Sequence, residues 1–204
     1  MAFFRLTLAS EETPLVRGEG LLLRPPRQED FEEWADLRER SRDFLKPWEP
    51  IWPVDDLTRG AFRRRIRRYQ REIQEDTAYP FFVFRDVDST LVGGLTLGMV
   101  RRGVSQAATL GYWMGAPFAG KGIMTAAVRT AAGYAFDQLR LRRIEAACVP
   151  GNAPSRRLLE KVGFLREGYA REYLCINGVW QDHLLYALLR ADFRLERRAD
   201  TRSP

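Results

Sequence analysis

The apolar positions of this chain change period twice, and each change marks a change of structure. Residues 20–26, GLLLRPP, are a short apolar run closed by Pro25 and Pro26, as expected of a strand that stops abruptly. Over 27–45 the apolar residues fall at Phe31, Trp34 and Leu37, with Phe44 further round, which predicts a helix with one buried stripe. The stretch KPWEPIWP (46–53) ends it, because three prolines in eight residues cannot continue a helix. A second helix is predicted from Asp56 to Glu75, where Phe62, Ile66, Tyr69 and Ile73 follow at four- and three-residue steps.

The period then shortens. YPFFVFRD (79–86), TLVGGLTLGMV (90–100) and AATLGYWMG (107–115) read as strands separated by turn signals at Asp86–Ser89 and Arg102–Gly103. An Ala-rich helix is predicted over 123–139, a strand over 142–149 and a short helix over 152–164. Residues 166–189 then predict two strands around Asn177–Gly178, the strongest short hairpin signal. The order β, α, α, β, β, β, α, β, α, β, β predicts a mixed α/β sheet. No repeat or low-complexity linker interrupts the chain, so 1–204 reads as a single domain, its core at about 20–192 between an N-terminal arm and a charged, frayed tail.

Composition narrows the class. With 45% apolar and 29% charged residues, 204 residues suit an ordinary globular protein with a sizeable core. The N-terminal apolar patch is broken by Arg5 too soon for a signal peptide. No apolar run approaches the roughly 18 residues that would span a bilayer, so no membrane partner is expected. Two cysteines (Cys148, Cys175) and one histidine (His183) make a Cys/His metal site an unlikely use of these residues. Both cysteines sit in apolar strand-like runs and read as reduced core residues of a cytoplasmic protein. A net charge of +6 favours anionic partners or phosphate-bearing ligands.

The candidate chemistry lies in GAPFAGKG, residues 115–122. Gly115, Gly120 and Lys121 match the nucleotide-binding pattern G-x-x-x-x-G-K-S/T, but Gly122 stands where the Mg²⁺-binding hydroxyl belongs. Three readings compete: glycines that only punctuate a strand-to-helix turn, an ATP site, and a metal-free pyrophosphate cradle. The ATP reading lacks both its hydroxyl and an acidic Mg²⁺ ligand at the end of a following buried strand. A helix N-terminus needs neither, since its unpaired N–H groups and positive dipole end hold phosphate directly. Glycines at 120 and 122 let the backbone approach closely, and Lys121 adds a mobile charge.

Here the sequence resembles a known family. Gln/Arg-x-x-Gly-x-Gly/Ala between a strand and a helix is the coenzyme A pyrophosphate loop of the GNAT superfamily of N-acyltransferases. The segment RRIEAACVPGNAPSRRLLEKVGF resembles the second half of that cofactor site. EGYAREYLCINGVWQDHLLYAL and FLKPWEP resemble the RimJ/RimL-like ribosomal-protein N-terminal acetyltransferases. The likeness covers roughly Gly20 to Asp192. One departure is Pro117 at the motif's first position, which removes one N–H and leaves those from Ala119 to Ile123.

The resemblance implies a GNAT fold, a mostly antiparallel splayed sheet flanked by helices, and acetyl-CoA as co-substrate without a metal. It implies direct attack of an amine on the thioester, with an oxyanion donor from Trp113, Met114 or Gly115. Ala119, Gly120, Lys121, Gly122, Ile123 and Met124 would hold the pyrophosphate, and Asn152 the pantetheine. Ser155 would give the thiolate its proton, because Leu159 occupies the position of the usual tyrosine. Asn152 and Ser155 read equally well as caps of the following helix. The acceptor is a protein N-terminus or a small amine such as an antibiotic, toxin or polyamine, and a non-catalytic RNA- or ribosome-binding module on the same fold is the alternative.

Glu75, Asp76, Tyr79 and Asp182 are candidates for the general base, none favoured over the others. The arginine run at 63–71 reads as a ribosome- or RNA-facing patch or, more simply, as the solvated side of a helix. Trp48 and Trp52 line the acceptor groove by resemblance or serve packing alone, and the lone His183 reads as structural. No pattern points to a particular oligomeric state.

Overall fold

The computed structural model describes residues 14–193. The tail read as frayed lies outside them, as does most of the N-terminal arm. One sheet of eight strands organises the chain: β1 Val16–Gly18, β2 Leu21–Arg24, β3 Tyr79–Arg85, β4 Leu91–Arg101, β5 Ala107–Met114, β6 Arg143–Cys148, β7 Leu165–Ile176 and β8 Val179–Leu189. Their spatial order is β1-β2-β3-β4-β5-β6-β8-β7, and every neighbouring pair is antiparallel except β5–β6. Only that parallel pair needs a long crossover. Helix α4, Ile123–Asp137, supplies it.

Helices cover both faces. α4 packs on one side over Leu21, Leu23, Phe81, Val83 and Leu110, with Leu159 of α5 (Ala153–Lys161) in the same core. On the other side α1, Phe31–Arg40, and α3, Arg59–Gln74, bury Phe31, Trp34, Leu37, Phe62 and Ile66 against Phe82, Phe84 and Leu91. β3 therefore contributes alternate residues to two cores. A strand buried on both faces reads as an unbroken apolar run, which is why its sequence is FFVF rather than alternating.

The predicted elements differ from the structure in three places. β1 was missed; it joins β2 through Glu19–Gly20, whose φ values of +52° and +73° make the tight turn that matches strand twist. The first predicted helix is interrupted at Ser41, where φ −104° and ψ 7° leave the helical region, and the four-residue α2, Arg42–Leu45, follows. This break turns Phe44 outward, 43% exposed, instead of onto the stripe. Asp56 lies outside α3, buried and paired with Arg65 at 2.6 Å, and Thr58 caps the helix by accepting the Ala61 N–H at 3.2 Å. Of the two cysteines, Cys148 is buried, but Cys175 on the edge strand β7 is only half-buried.

Phe62 is fully buried, its ring 4.8 Å from Trp34 and 5.5 Å from Phe31. Phe62→Ala is expected to lower unfolding stability by about 3–5 kcal/mol. That is a fall in melting temperature of roughly 6–20 °C for a chain of this size, read by calorimetry.

Candidate active site

β5 and β6 run side by side only from Ala107 and Arg143 to Leu110 and Ala146. Beyond that β5 continues to Met114 and β6 to Cys148 without another pair, so a wedge opens between them. Which backbone groups face the wedge follows from the other side of β5. Gly115 donates its N–H to the Val92 carbonyl at 2.9 Å, and in an antiparallel ladder alternate residues bond the same neighbour. Trp113 therefore also turns its N–H to β4, while Tyr112 and Met114 turn theirs to the wedge. Of the three donors considered from sequence, only Met114 presents its N–H there.

Trp113 and Gly115 have packing work instead. The Trp113 ring meets Phe82 edge-on, and Gly94 makes room for it: a Cβ at 94 would lie 2.6 Å from Trp113 Nε1. Gly115 is buried against Leu37, whose Cδ1 would be 2.4 Å from a Cβ at 115.

The glycine loop leaves β5 directly. Ala116–Phe118 form a 3₁₀ turn in which Pro117 sits where its missing N–H has no partner to lose. Ala119 does not keep a free N–H, contrary to expectation, because closing this turn bonds it to the Ala116 carbonyl at 3.2 Å. From Gly120 to Thr125 the N–H groups have no backbone acceptor among the described residues, and Gly120 and Gly122 are exposed with φ of +73° and +76°. That left-handed geometry suits glycine and strains any other residue. Gly122 is the N-cap of α4, so the free donors sit at the positive end of a fifteen-residue helix. Lys121 folds back, its Nζ donating to the Pro117 carbonyl at 2.9 Å. Met124 adds only its N–H, since its side chain is buried in the α4 core. Free N–H groups at a helix N-terminus, opened by two exposed glycines, are the donor set a pyrophosphate requires.

Across the wedge, the Ser155 and Tyr112 hydroxyls lie 2.7 Å apart. The two capping readings separate here. Asn152 caps α5, its Oδ1 accepting the Ser155 N–H at 3.1 Å, whereas the Ser155 hydroxyl turns to Tyr112. Burial pushes the Tyr112 phenol well above its ordinary value of 10.0, with the Ser155 hydrogen bond pulling the other way, so the phenol stays protonated at neutral pH. Burial also pushes the neighbouring Cys148 thiol up, against a lowering hydrogen bond with Ser155. The result is a neutral cluster of two hydroxyls and a thiol bridging the parted strands.

The candidate bases are engaged elsewhere. Asp76 bonds Arg102 at 2.5 and 2.6 Å and accepts the Tyr79 hydroxyl at 2.7 Å; the Arg102 hydrogen bond holds its carboxyl below 3.8. Asp182 accepts the Tyr169 hydroxyl and, at 2.8 Å, the Glu172 N–H, and both keep it ionised below 3.8. It pins the irregular stretch of β7 between Ala170 and Leu174. Glu75 stays exposed beyond the end of α3. His183 is buried, its Nδ1 2.9 Å from the Gln181 carbonyl.

Sequence reading missed the support beneath the loop. Arg38, buried on α1, makes a two-pronged bond to Glu49 at 2.7 Å on each arm and stacks on Trp52 at 4.1 Å. Trp52 Nε1 also donates to Glu49 at 2.7 Å, while Trp48 is 36% exposed. The Glu49 carbonyl accepts the Asn177 N–H of the β7–β8 hairpin at 2.9 Å. Ser41, where the helix breaks, accepts the Ala116 N–H at 2.9 Å. Apart from Trp52 and Glu49, three residues apart, these partners come from 11 to 128 residues away, and nothing local signals them.

The acetyltransferase (GNAT) domain family matches residues 20–165. The chain is 41% identical over 178 residues to the probable N-acetyltransferase YjcK of Bacillus subtilis, covering 87% of this chain and 98% of that one. It is 34% identical over 166 residues to the ribosomal protein uS5-alanine N-acetyltransferase of Escherichia coli, covering 80% and 86%. Among solved structures it resembles Mycobacterium smegmatis RimJ in complex with CoA-disulfide, with TM-score 0.83, 32% identity, and 93% and 94% of the two chains covered.

The Asp76–Arg102 pair makes a pH-dependent prediction. A carboxyl lowered in the folded state stabilises fully above its unfolded value, 3.8, and loses that contribution as pH falls through the lower folded value. Asp76→Asn is therefore expected to melt below wild type at neutral pH. The gap should close only under more acid conditions than pH 3.8, as followed by thermal unfolding across a pH series.

Proposed function

Since the chain belongs to the GNAT acetyltransferases, in their RimJ-like group, we propose that it acetylates the N-terminal α-amine of a ribosomal protein, using acetyl-CoA. The observation that carries this reading is the parting of β5 from β6, with the Met114 N–H facing the gap, the free N–H row of α4 beside it and the Ser155–Tyr112 pair across it. The names of the uS5-alanine acetyltransferase and of RimJ support a ribosomal-protein acceptor.

Acetyl-CoA supplies the thioester that the amine attacks. The N–H groups from Gly120 to Thr125 hold its pyrophosphate, with Lys121 adding a charge at the loop. The Met114 N–H donates to the carbonyl oxygen as negative charge builds there, a contact of a kind that contributes about 3–4 kcal/mol to barrier lowering. As the C–S bond breaks, Ser155 passes a proton to the departing thiolate and Tyr112 replaces it, while the proton the attacking amine loses returns to Tyr112 through solvent, so the phenol ends protonated as it began. Asn152 orients Ser155 by fixing the first turn of α5 and offers its amide to the pantetheine arm.

The acceptor's basicity supports an α-amine. At pH 7, freeing an α-amine of its proton costs about 1 kcal/mol, against about 4.6 kcal/mol for a lysine side chain. Among the base candidates Asp76 and Asp182 are both held ionised by committed partners, which favours the substrate that needs least help.

The test is acetyl transfer to peptides bearing a ribosomal-protein N-terminus, compared with the same peptides carrying a blocked N-terminus and an internal lysine. Transfer to the free N-terminus alone is expected; transfer to lysine, or only to small amines, would overturn the acceptor assignment. For the chemistry, Ser155→Ala is expected to lower kcat by about 10²-fold or more with little change in acetyl-CoA affinity, and Tyr112→Phe to lower kcat less. Weaker binding with unchanged kcat in Ser155→Ala would remove its role as the acid.

A further inference from the structure

The charge of this protein is concentrated on one helix. α3, RGAFRRRIRRYQREIQ, carries seven arginines against one glutamate, a net +6 that equals the formal net charge of the whole chain. Four of the seven are neutralised: Arg59 by Glu32, Arg64 by Asp55, Arg65 by Asp56 and Arg68 by Glu72. Arg63, Arg67 and Arg71 are exposed and have no acidic partner among the described residues. They recur at every fourth position and so form a single row, rising about 6 Å per step along the helix. Like charges at this spacing destabilise a helix. The row thus carries a repulsion that only Arg71, in the last turn of the helix, partly offsets through the helix dipole.

The chemistry of the row selects its partner. Of the apolar residues on the stripe of α3, Phe62 and Ile66 are buried in the core and Tyr69 and Ile73 are half-buried, so no fully exposed apolar side chain lies between the arginines for a protein interface or a lipid surface to cover. The row ends in a groove of about 380 Å³ lined by Gln28, Phe31, Arg59, Phe62, Arg63 and Arg67. Guanidinium forks match phosphate oxygens two at a time, and an evenly spaced line of them fits a linear chain of phosphates. We infer that the outer face of α3 binds the phosphate backbone of RNA through Arg63, Arg67 and Arg71. This surface is built by α3 and the start of α1, not by the β5–β6 wedge, and its binding requires no acetyl donor.

The experiment measures binding of a labelled short single-stranded RNA to the full chain by fluorescence anisotropy, without acetyl-CoA. Three phosphate contacts predict an affinity loss of about twentyfold between 50 and 200 mM salt. The triple variant Arg63→Gln/Arg67→Gln/Arg71→Gln should bind at least tenfold more weakly at the lower salt and lose most of the salt dependence. It should fold and melt close to wild type, since the repulsion it removes offsets the dipole contact of Arg71 it also loses. A control that removes equal charge elsewhere, Arg140→Gln/Lys161→Gln/Arg166→Gln, should bind like wild type. Equal weakening in both variants would reduce the effect to net charge and overturn the inference. So would undiminished binding by the α3 variant, or tighter binding of wild type to a polyglutamate peptide or to anionic phosphatidylserine vesicles than to RNA.

Discussion

The structure depends on one interrupted ladder. β5 and β6 are the only parallel neighbours in the sheet, and they pair for four residues before separating. A parallel pair cannot be closed by a hairpin, so the chain must cross over, and the crossover helix begins where β5 ends. The same separation that turns the Met114 N–H into the wedge therefore also sets the N-terminus of α4 beside it. An unpaired strand edge and an uncapped helix end are each unfavourable in isolation. Here they adjoin, and together they make a concentrated set of donors for a ligand rich in oxygen.

Holding such a wedge open requires support from outside the sheet, and α1 provides it. Leu37 fills the space under Gly115, Ser41 takes the Ala116 N–H, and Arg38 between them binds Glu49. Three positions within five residues at the end of α1 thus tie the glycine loop to the 46–53 segment, which Glu49 joins to the β7–β8 hairpin. Breaking a buried ion pair on one side costs about 3–5 kcal/mol, so this tether is stiff. The helix breaks at Ser41, the residue that takes the Ala116 N–H, and Phe44 beyond it faces outward.

The polar chemistry of the site is neutral while that of the surface is charged. Tyr112 and Cys148 are kept protonated by burial, with the Ser155 hydroxyl between them, whereas Asp76 and Asp182 are kept ionised by arginine or hydroxyl partners. Proton donors in the wedge and the absence of a poised base among those carboxylates belong to the same division. The row formed by Arg63, Arg67 and Arg71 lies apart from both, on α3.

The sequence by itself determined the elements whose signal is local. The FFVF run, the period of Phe62 and Ile66, the Asn177–Gly178 turn and the glycines at 120 and 122 were all legible, because periodicity and left-handed geometry act over a few residues. Asn152 was legible as a cap for the same reason. Tertiary structure decided which groups face the ligand. Only the Gly115–Val92 bond fixes which of Trp113 and Met114 turns inward, and only the fold brings Tyr112 to Ser155 across 43 residues. Ala119 lost its N–H to a 3₁₀ turn, and Asp76 and Asp182 were claimed by arginine and tyrosine partners no pattern announces. Spacing along a chain reports a residue's neighbours in its own element, whereas a hydrogen bond between elements depends on register and packing, which exist only after the chain has folded.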